Sequence, residues 1–300
     1  MSETSIDLCI PYWGDPAQMR ECVESVLLQD DDRWHLTVLD DAYHDPAIGD
    51  WMRSLNHPRV TYLRNEKNLG IVGNYRKLLT LATRKLVVLL GCDDVLLPNY
   101  VSTIIQAHER FPSAAIIQPG TKVINEHGKV VKTLPDWAKT ELVMPSAKQA
   151  KLLWGEALAA SLLTGDWLYW PSIAFVRERL QGVDFNADLK ITHDLAFVMD
   201  MVFAREQLLL EPTVCFAYRR HTASASTGSL IDGRRFADER AYFRIARGQA
   251  EAARWNKAAR AARWHITSRA NALWLILNCL VKGPRKHIPT LFKHMINRSV

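Results

Sequence analysis

The stretch that most constrains the fold is KLVVLLGCDDVLLPN, residues 85–99. Its run Leu86-Val-Val-Leu-Leu90 shows no polar alternation, the mark of a strand buried on both faces, as in a parallel sheet. The run stops at Gly91-Cys92-Asp93-Asp94, and a short apolar stretch and Pro98 follow. Open α/β sheets hold ligands at the carboxyl ends of their strands, and two adjacent acids there suit a divalent cation bridging a diphosphate. The same pair also suits a turn with a helix N-cap. The motif alone leaves both readings open.

The surrounding pattern predicts an alternation of strands and helices. Residues 5–10 read as a strand that ends in the turn formers Pro11-Tyr12-Trp13-Gly14-Asp15-Pro16. Helix spacing follows over 19–28, then a strand over 34–39 closed by Asp40-Asp41. Strand, helix and strand so close together make a βαβ unit with a right-handed crossover. A short strand at 60–63, a polar loop and a helix over 71–83 lead into the opening stretch. A helix over 100–110 and a strand over 114–118 complete a doubly wound nucleotide-binding half. Asn125-Glu-His-Gly128 marks a hairpin turn. Apolar positions at Ala150, Leu153, Trp154, Ala157, Leu158 and Leu162 predict one helix over 146–163, and Gly165 to Pro171 is an aromatic-rich loop or strand. A strand over 172–176, a helix over 192–204 opening on His193-Asp194, and a strand over 212–218 ending in Arg219-Arg220-His221 come next. From about Arg234 the chain becomes helical and rich in Arg and Ala.

Charge is divided unevenly along this pattern. The net +6 splits into 15 Lys and Arg against 4 Asp and Glu over 230–300, and 23 against 28 over the first 229 residues, an acidic body with a basic tail. Such tails meet anionic partners or form a solvated helical face. In the last segment Ile288, Leu291, Phe292, Met295 and Ile296 form an apolar stripe with Lys286, Lys293 and Arg298 off it. This basic amphipathic helix is expected to lie on an anionic membrane surface, with closure of the core or of an oligomer interface as the alternatives. No nucleic-acid motif accompanies it. The five cysteines form no C-x-x-C pair, which points to a reducing compartment and away from a disulfide framework or zinc site. Neither a secretory leader nor a run of about 20 apolar residues occurs, so a cytoplasmic location, peripheral at the inner membrane face, is expected.

Ile10-Pro11-Tyr12, Val38-Leu39-Asp40-Asp41, Asn68-Leu69-Gly70 with Asn74, Leu89-Leu90-Gly91-Cys92-Asp93-Asp94, His193-Asp194 and Arg219-Arg220-His221 fall in the order and approximate spacing of a known family. Over residues 5–225 the chain resembles family 2 glycosyltransferases. The resemblance implies an α/β chain of GT-A fold, a Rossmann-like, mostly parallel sheet flanked by helices, with a helical C-terminal extension. Residues 1–228 would be the transferase domain, its nucleotide-binding half 1–120 and its acceptor half 121–228. Residues 229–300 would be the basic helical region.

The same resemblance implies inverting, metal-assisted transfer of a sugar from a nucleoside-diphosphate sugar, UDP- or dTDP-linked, to a hydroxyl of a glycan or lipid-linked glycan. This is the chemistry of polysaccharide or cell-envelope glycan biosynthesis. Asp194 would be the catalytic base. Pro11 and Tyr12 would frame the base of the nucleotide and Asp41 would read it. Asn68, Asn74, Asp93 and Arg220 would line the donor site, Asp94 and His221 would hold Mg²⁺ or Mn²⁺, and Trp167 and Tyr169 would meet the acceptor. Gly91, Gly73 and His193 depart from the family pattern, the first two standing where an acid and an arginine are usual and His193 replacing an acid. These departures sustain a second reading, a scaffold that binds nucleotide sugar without turnover. A third, a nucleotidyltransferase, lacks the Gly-rich phosphate loop expected after the first strand.

Overall fold

The computed structural model describes residues 3–133, 136–137, 139–220, 234–281, 283 and 285–296. Among them nine strands form one sheet: β1 (Ile6–Tyr12), β2 (Trp34–Asp40), β3 (Val60–Arg64), β4 (Leu86–Leu89), β5 (Val95–Leu96), β6 (Ala114–Ile124), β7 (Lys151–Leu153), β8 (Ala174–Val176) and β9 (Gln207–Arg219). Their order is β3-β2-β1-β4-β8-β6-β9-β5, with β7 paired to β9. From β3 to β4 every ladder is parallel. Beyond β4 the sheet is mixed: β8 runs antiparallel to β4 and β6, β6 runs parallel to β9, and β5 and β7 run antiparallel to β9.

The strand of the opening motif is buried on both sides, as its unbroken apolar run requires. Leu86 and Val88 enter one core cluster, with Met19 and Val23 of α1 (Pro16–Leu27), Ile48 of α2 (Ala47–Ser54) and Ile104 of α4 (Tyr100–Arg110). Val87 and Leu89 enter the other, with Leu78 of α3 (Gly70–Leu81), Leu162 of α5 (Gly155–Thr164) and Phe197 of α6 (His193–Phe203). Burial of each such side chain contributes about 1.5–3 kcal/mol. The first helix starts where the sequence provides a cap, since Asp15 Oδ1 accepts from the N–H groups of Ala17 and Gln18 at 2.8 and 3.0 Å and Pro16 follows at the first helical position.

Two segments differ from the sequence expectation. Residues 146–163 are not one helix. Leu152 and Leu153 pair with Leu209 and Leu208 of β9, and α5 begins only at Gly155, whose φ of +62° suits glycine. A short apolar run fits either period, and here the neighbouring strand decided the outcome. The last strand, in turn, is 13 residues long and serves two sets of partners. Its ladder with β6 shifts register at Gly120, where an added Cβ would lie 2.5 Å from the Pro212 carbonyl. Past this bulge β9 pairs with β5 and delivers Arg219 and Arg220 to the end of β4.

The basic region is helical: α7 (Arg234–Ala252), α8 (Asn256–Trp264), α9 (Ile266–Val281) and α10 (Ile288–Ile296). Tyr242, Ala246, Ala258 and Ala262 join the cluster that holds Val87, while Phe236, Ala272, Leu275, Ile276, Cys279 and Leu291 form a third cluster. His265 and His294 are buried beside it. His294 Nδ1 lies 2.8 Å from Arg240 Nη1, and its Nε2 is 2.9 Å from Ser268 Oγ, which also donates to Glu239. Burial, together with Arg240 and Arg269, pushes His294 down to about 3; burial and then Arg269 push His265 down to about 4. Both rings are neutral when folded and take up protons near pH 6.5 when unfolded. The stability they contribute is therefore complete above about pH 6.5 and lost as the pH falls from there toward 4. Thermal unfolding between pH 7 and 4.5 should show this decline, with a flatter slope in His265→Gln/His294→Gln. An unchanged slope would contradict the assignment.

Candidate active site

The site is built at the carboxyl end of β4, where the chain turns through Gly91, Cys92, Asp93 and Asp94. Asp94 is only 1% exposed, and its Oδ1 accepts the Arg219 N–H at 2.8 Å. An added Cβ at Gly91 would sit 2.5 Å from the other oxygen, Oδ2. The glycine that stands in place of the usual acid thus makes room for an inward-turned Asp94. Burial, then the adjacent Asp93 charge, raises the Asp94 carboxyl well above the ordinary carboxylate range. Asp94, expected to face the metal, thus has one oxygen committed to the backbone of β9. Asp93 is the partly exposed member of the pair.

Arg219 secures this turn rather than clamping phosphate. It is 2% exposed; Nε donates to Asp93 O at 2.6 Å, Nη1 to the carbonyls of Asn125 and Glu126 at 3.3 and 3.2 Å, and Nη2 to Glu21 at 2.6 Å. One guanidinium thereby ties the β4 turn, the hairpin after β6 and helix α1 together. Arg220 is half-buried and pairs with Asp136. His221 lies outside the described residues.

Several nucleotide-site candidates prove to be held by the protein itself. Asp41 is 2% exposed and accepts from Asn65 Nδ2, Leu69 N and Gly70 N at 2.8, 2.8 and 2.9 Å, which caps α3. Asn74 is 1% exposed; its amide donates to Leu39 O at 3.0 Å and its oxygen accepts from Asn65. Asn68 is exposed and accepts the Gly70 N–H at 2.9 Å, turning the chain into α3. Pro11 and Tyr12 are buried, whereas Trp13 is 51% exposed with its ring edge-on to Tyr43 at 5.4 Å. Sequence reasoning ended β1 at Ile10 and so missed Trp13, the first residue past the strand. Asp40 is likewise internal, bonded by Tyr43 N, Tyr62 and Arg64.

On the other side of the turn, Asp194 opens α6 and is half-buried, with Oδ1 accepting from Leu195 N at 2.7 Å. Beside it His193 Nδ1 is buried without a partner among the described residues. Trp167 is wholly buried and donates from Nε1 to Ser161 Oγ at 3.0 Å, a core role that corrects its expected acceptor contact. Tyr169 is 3% exposed, its hydroxyl is buried without a partner among the described residues, and its ring lies 5.4 Å from that of Tyr218. Two further groups escaped sequence reasoning because nothing periodic or motif-like marks them. Lys139 places Nζ 4.0 Å over the Tyr169 ring and donates to Leu168 O at 2.5 Å. Asp166, near Lys139 and Asp194, keeps a solvent-facing side, yet crowding by protein pushes its carboxyl up to about 6 against the pull of Lys139. The half-buried Tyr218 phenol, raised first by burial, feels Asp94, Asp93 and Asp194 together. The turn after β4 and the end of β9 are thus in direct contact, with Asp194 at the start of α6 within electrostatic reach of Tyr218.

Among the described residues no three His, Cys, Asp or Glu side chains gather as a metal cluster. The partly exposed Asp93 and the buried Asp94 do not make a cation site of protein groups alone. They do suit Mg²⁺ or Mn²⁺ that draws most of its shell from phosphate oxygens and water.

A mixed sheet whose parallel half ends in acids, with helices on both faces, is the GT-A architecture of nucleotide-sugar transferases. The sequence model of Glycosyl transferase family 2 matches residues 7–161, just over half of the chain. The chain therefore belongs to glycosyl transferase family 2 and is a glycosyltransferase. It is 25% identical over 241 residues to the uncharacterized protein MT1568 of Mycobacterium tuberculosis, covering 77% of this chain and 71% of that protein. Among solved structures it is similar in fold to S. aureus TarS in complex with UDP-GlcNAc, with a TM-score of 0.67 at 12% identity, covering 97% of this chain and 79% of that one. It is also similar to the mannosyltransferase PcManGT from Pyrobaculum calidifontis in complex with GDP-Man and Mn²⁺, with a TM-score of 0.61 at 15% identity, covering 98% of this chain and 86% of that one.

Asp94→Asn, which keeps an acceptor for the Arg219 N–H and removes a buried negative charge, should change unfolding stability by no more than about 1 kcal/mol. Arg219→Ala, which strands several buried acceptors, should cost about 3 kcal/mol or more. Urea unfolding of both variants checks the pair.

Proposed function

We propose that this chain is an inverting transferase that moves a sugar from a nucleoside-diphosphate sugar, UDP- or dTDP-linked, to a hydroxyl of a glycan or lipid-linked glycan. The reading rests chiefly on one observation, the acid pair Asp93-Asp94 set at the carboxyl end of the sheet's parallel half and tied to β9 through the Arg219 N–H. The complexes of TarS with UDP-GlcNAc and of PcManGT with GDP-Man support a nucleotide-sugar donor in the same fold.

In this reading the nucleotide base lies against Trp13 and Tyr43 at the end of β1, while Asp41 and Asn74 hold the loop that shapes the pocket. The diphosphate lies over the β4 turn. Arg220, half-exposed beside it, exchanges part of its bond to Asp136 for phosphate oxygens. Asp93 would hold Mg²⁺ or Mn²⁺ there, and such a cation neutralises charge on the departing diphosphate. Asp194 accepts the proton of the acceptor hydroxyl as that oxygen bonds to the anomeric carbon. The bond from that carbon to the phosphate oxygen breaks on the opposite face, the nucleoside diphosphate leaves, and the configuration inverts. The Tyr169 hydroxyl, without a partner among the described residues, and Lys139 would offer polar groups to the transferred sugar or acceptor.

Asp194→Asn should lower transfer by about 100-fold or more with nucleotide binding unchanged; comparable turnover in the variant removes Asp194 from the role. Calorimetry with UDP and Mn²⁺ separates the two acids of the turn. Asp93→Asn should weaken metal-dependent binding at least about tenfold, and Asp94→Asn should leave it near the parent value. The opposite ranking contradicts the assignment.

A further inference from the structure

Helix α9 is apolar on both sides, and only one side is covered. Ala272, Leu275, Ile276 and Cys279 pack with Phe236 and Leu291. Along the other side Leu273, Trp274, Leu277, Leu280 and Val281 are 45%, 49%, 54%, 49% and 77% exposed, a continuous stripe at helical spacing. The final helix, which the sequence presents as the amphipathic one, has turned Leu291 inward with Ile288 and Met295 packed beside it. The larger outward apolar face thus belongs to α9, and α10 adds only Phe292 and Ile296 at 48% and 54% exposure.

Charge identifies what would cover such a face. From residue 252 to residue 300 the chain carries ten Lys and Arg and no Asp or Glu. Arg263 before α9, and Arg285, Lys286 and Lys293 after it, are exposed. A second copy would set two such basic surfaces against each other, whereas an anionic bilayer neutralises them. Trp and Leu on one face with Lys and Arg at its margins is the pattern of a helix lying in the headgroup region. With 16 residues α9 is about 24 Å long, and among the described residues no helix is long and apolar enough to cross a membrane. We infer that the outer stripe of α9 docks in the plane of an anionic lipid interface, flanked by the basic residues around it. The inference is independent of the roles given to Asp93 and Asp194.

The test uses the full chain with vesicles of phosphatidylcholine alone and of phosphatidylcholine mixed with phosphatidylglycerol. Sedimentation should show binding to the mixed vesicles that falls as salt rises. Leu273→Ser/Trp274→Ser/Leu277→Ser should bind about tenfold more weakly or less, with donor turnover unchanged. Arg285→Gln/Lys286→Gln/Lys293→Gln should reduce binding toward the level seen with phosphatidylcholine alone. If the triple apolar variant loses helicity, Trp274→Phe serves instead, and brominated phosphatidylglycerol should quench its fluorescence less than that of the parent chain. Absence of binding to the mixed vesicles, equal binding by the apolar variant, or equal quenching overturns the inference. So does self-association of the parent chain that the apolar variant abolishes without any vesicle binding, which assigns the stripe to a second copy.

Discussion

The bond between the Asp94 carboxylate and the Arg219 N–H joins the two halves of the sheet at the point where chemistry is placed. Strand β4 ends the parallel half, and β9 belongs to the mixed half. In the ladder order β8 and β6 lie between these strands. The contact exists because β5, which begins just after Asp94, pairs antiparallel with β9 through Val95 opposite Ala217 and Leu96 opposite Phe216, beyond the register shift at Gly120. The Arg219 guanidinium then closes the junction, with Asp94 buried and Asp93 the partly exposed acid.

This arrangement divides the acids by function. Asp40, Asp41 and Asp94 are spent on loops, caps and strand ends, each accepting N–H or O–H donors of the protein. Asp93 and Asp194 are half-buried, just after a strand end and at a helix start, and both are felt by the Tyr218 phenol. Rigid elements therefore carry both groups on which the proposed transfer depends, a condition for holding reacting atoms in line. Lys139, Asp166 and the Tyr169 hydroxyl add a polar wall whose members come from segments remote in sequence.

The sheet and its helices were legible because burial on two faces writes an unbroken apolar run, as at Leu86 to Leu90, and capping writes Asp-Pro, as at Asp15-Pro16. Family membership was legible from six short motifs in order. The region at 146–163 was not, because Lys151-Leu152-Leu153 satisfies a helix period and its pairing with β9 is a tertiary fact. Within the site, residue type was readable but direction was not. Asp93 and Asp94 are identical in kind, and it is Asp94 that takes the Arg219 N–H, a tertiary contact that no local pattern announces. The same limit hid that Tyr12 is buried and Trp13 exposed, that Trp167 lies in the core, and that α9 carries the larger exposed apolar stripe.

The claim on which the account turns is that the β4 turn keeps Asp94 inside and offers Asp93 outside when the donor product is bound. A crystal structure of the chain with UDP and Mn²⁺, read from the manganese anomalous signal, tests it most directly. The account predicts the manganese beside the Asp93 carboxylate, with Asp94 still accepting the Arg219 N–H. Manganese on an Asp94 carboxylate swung away from Arg219 would contradict it.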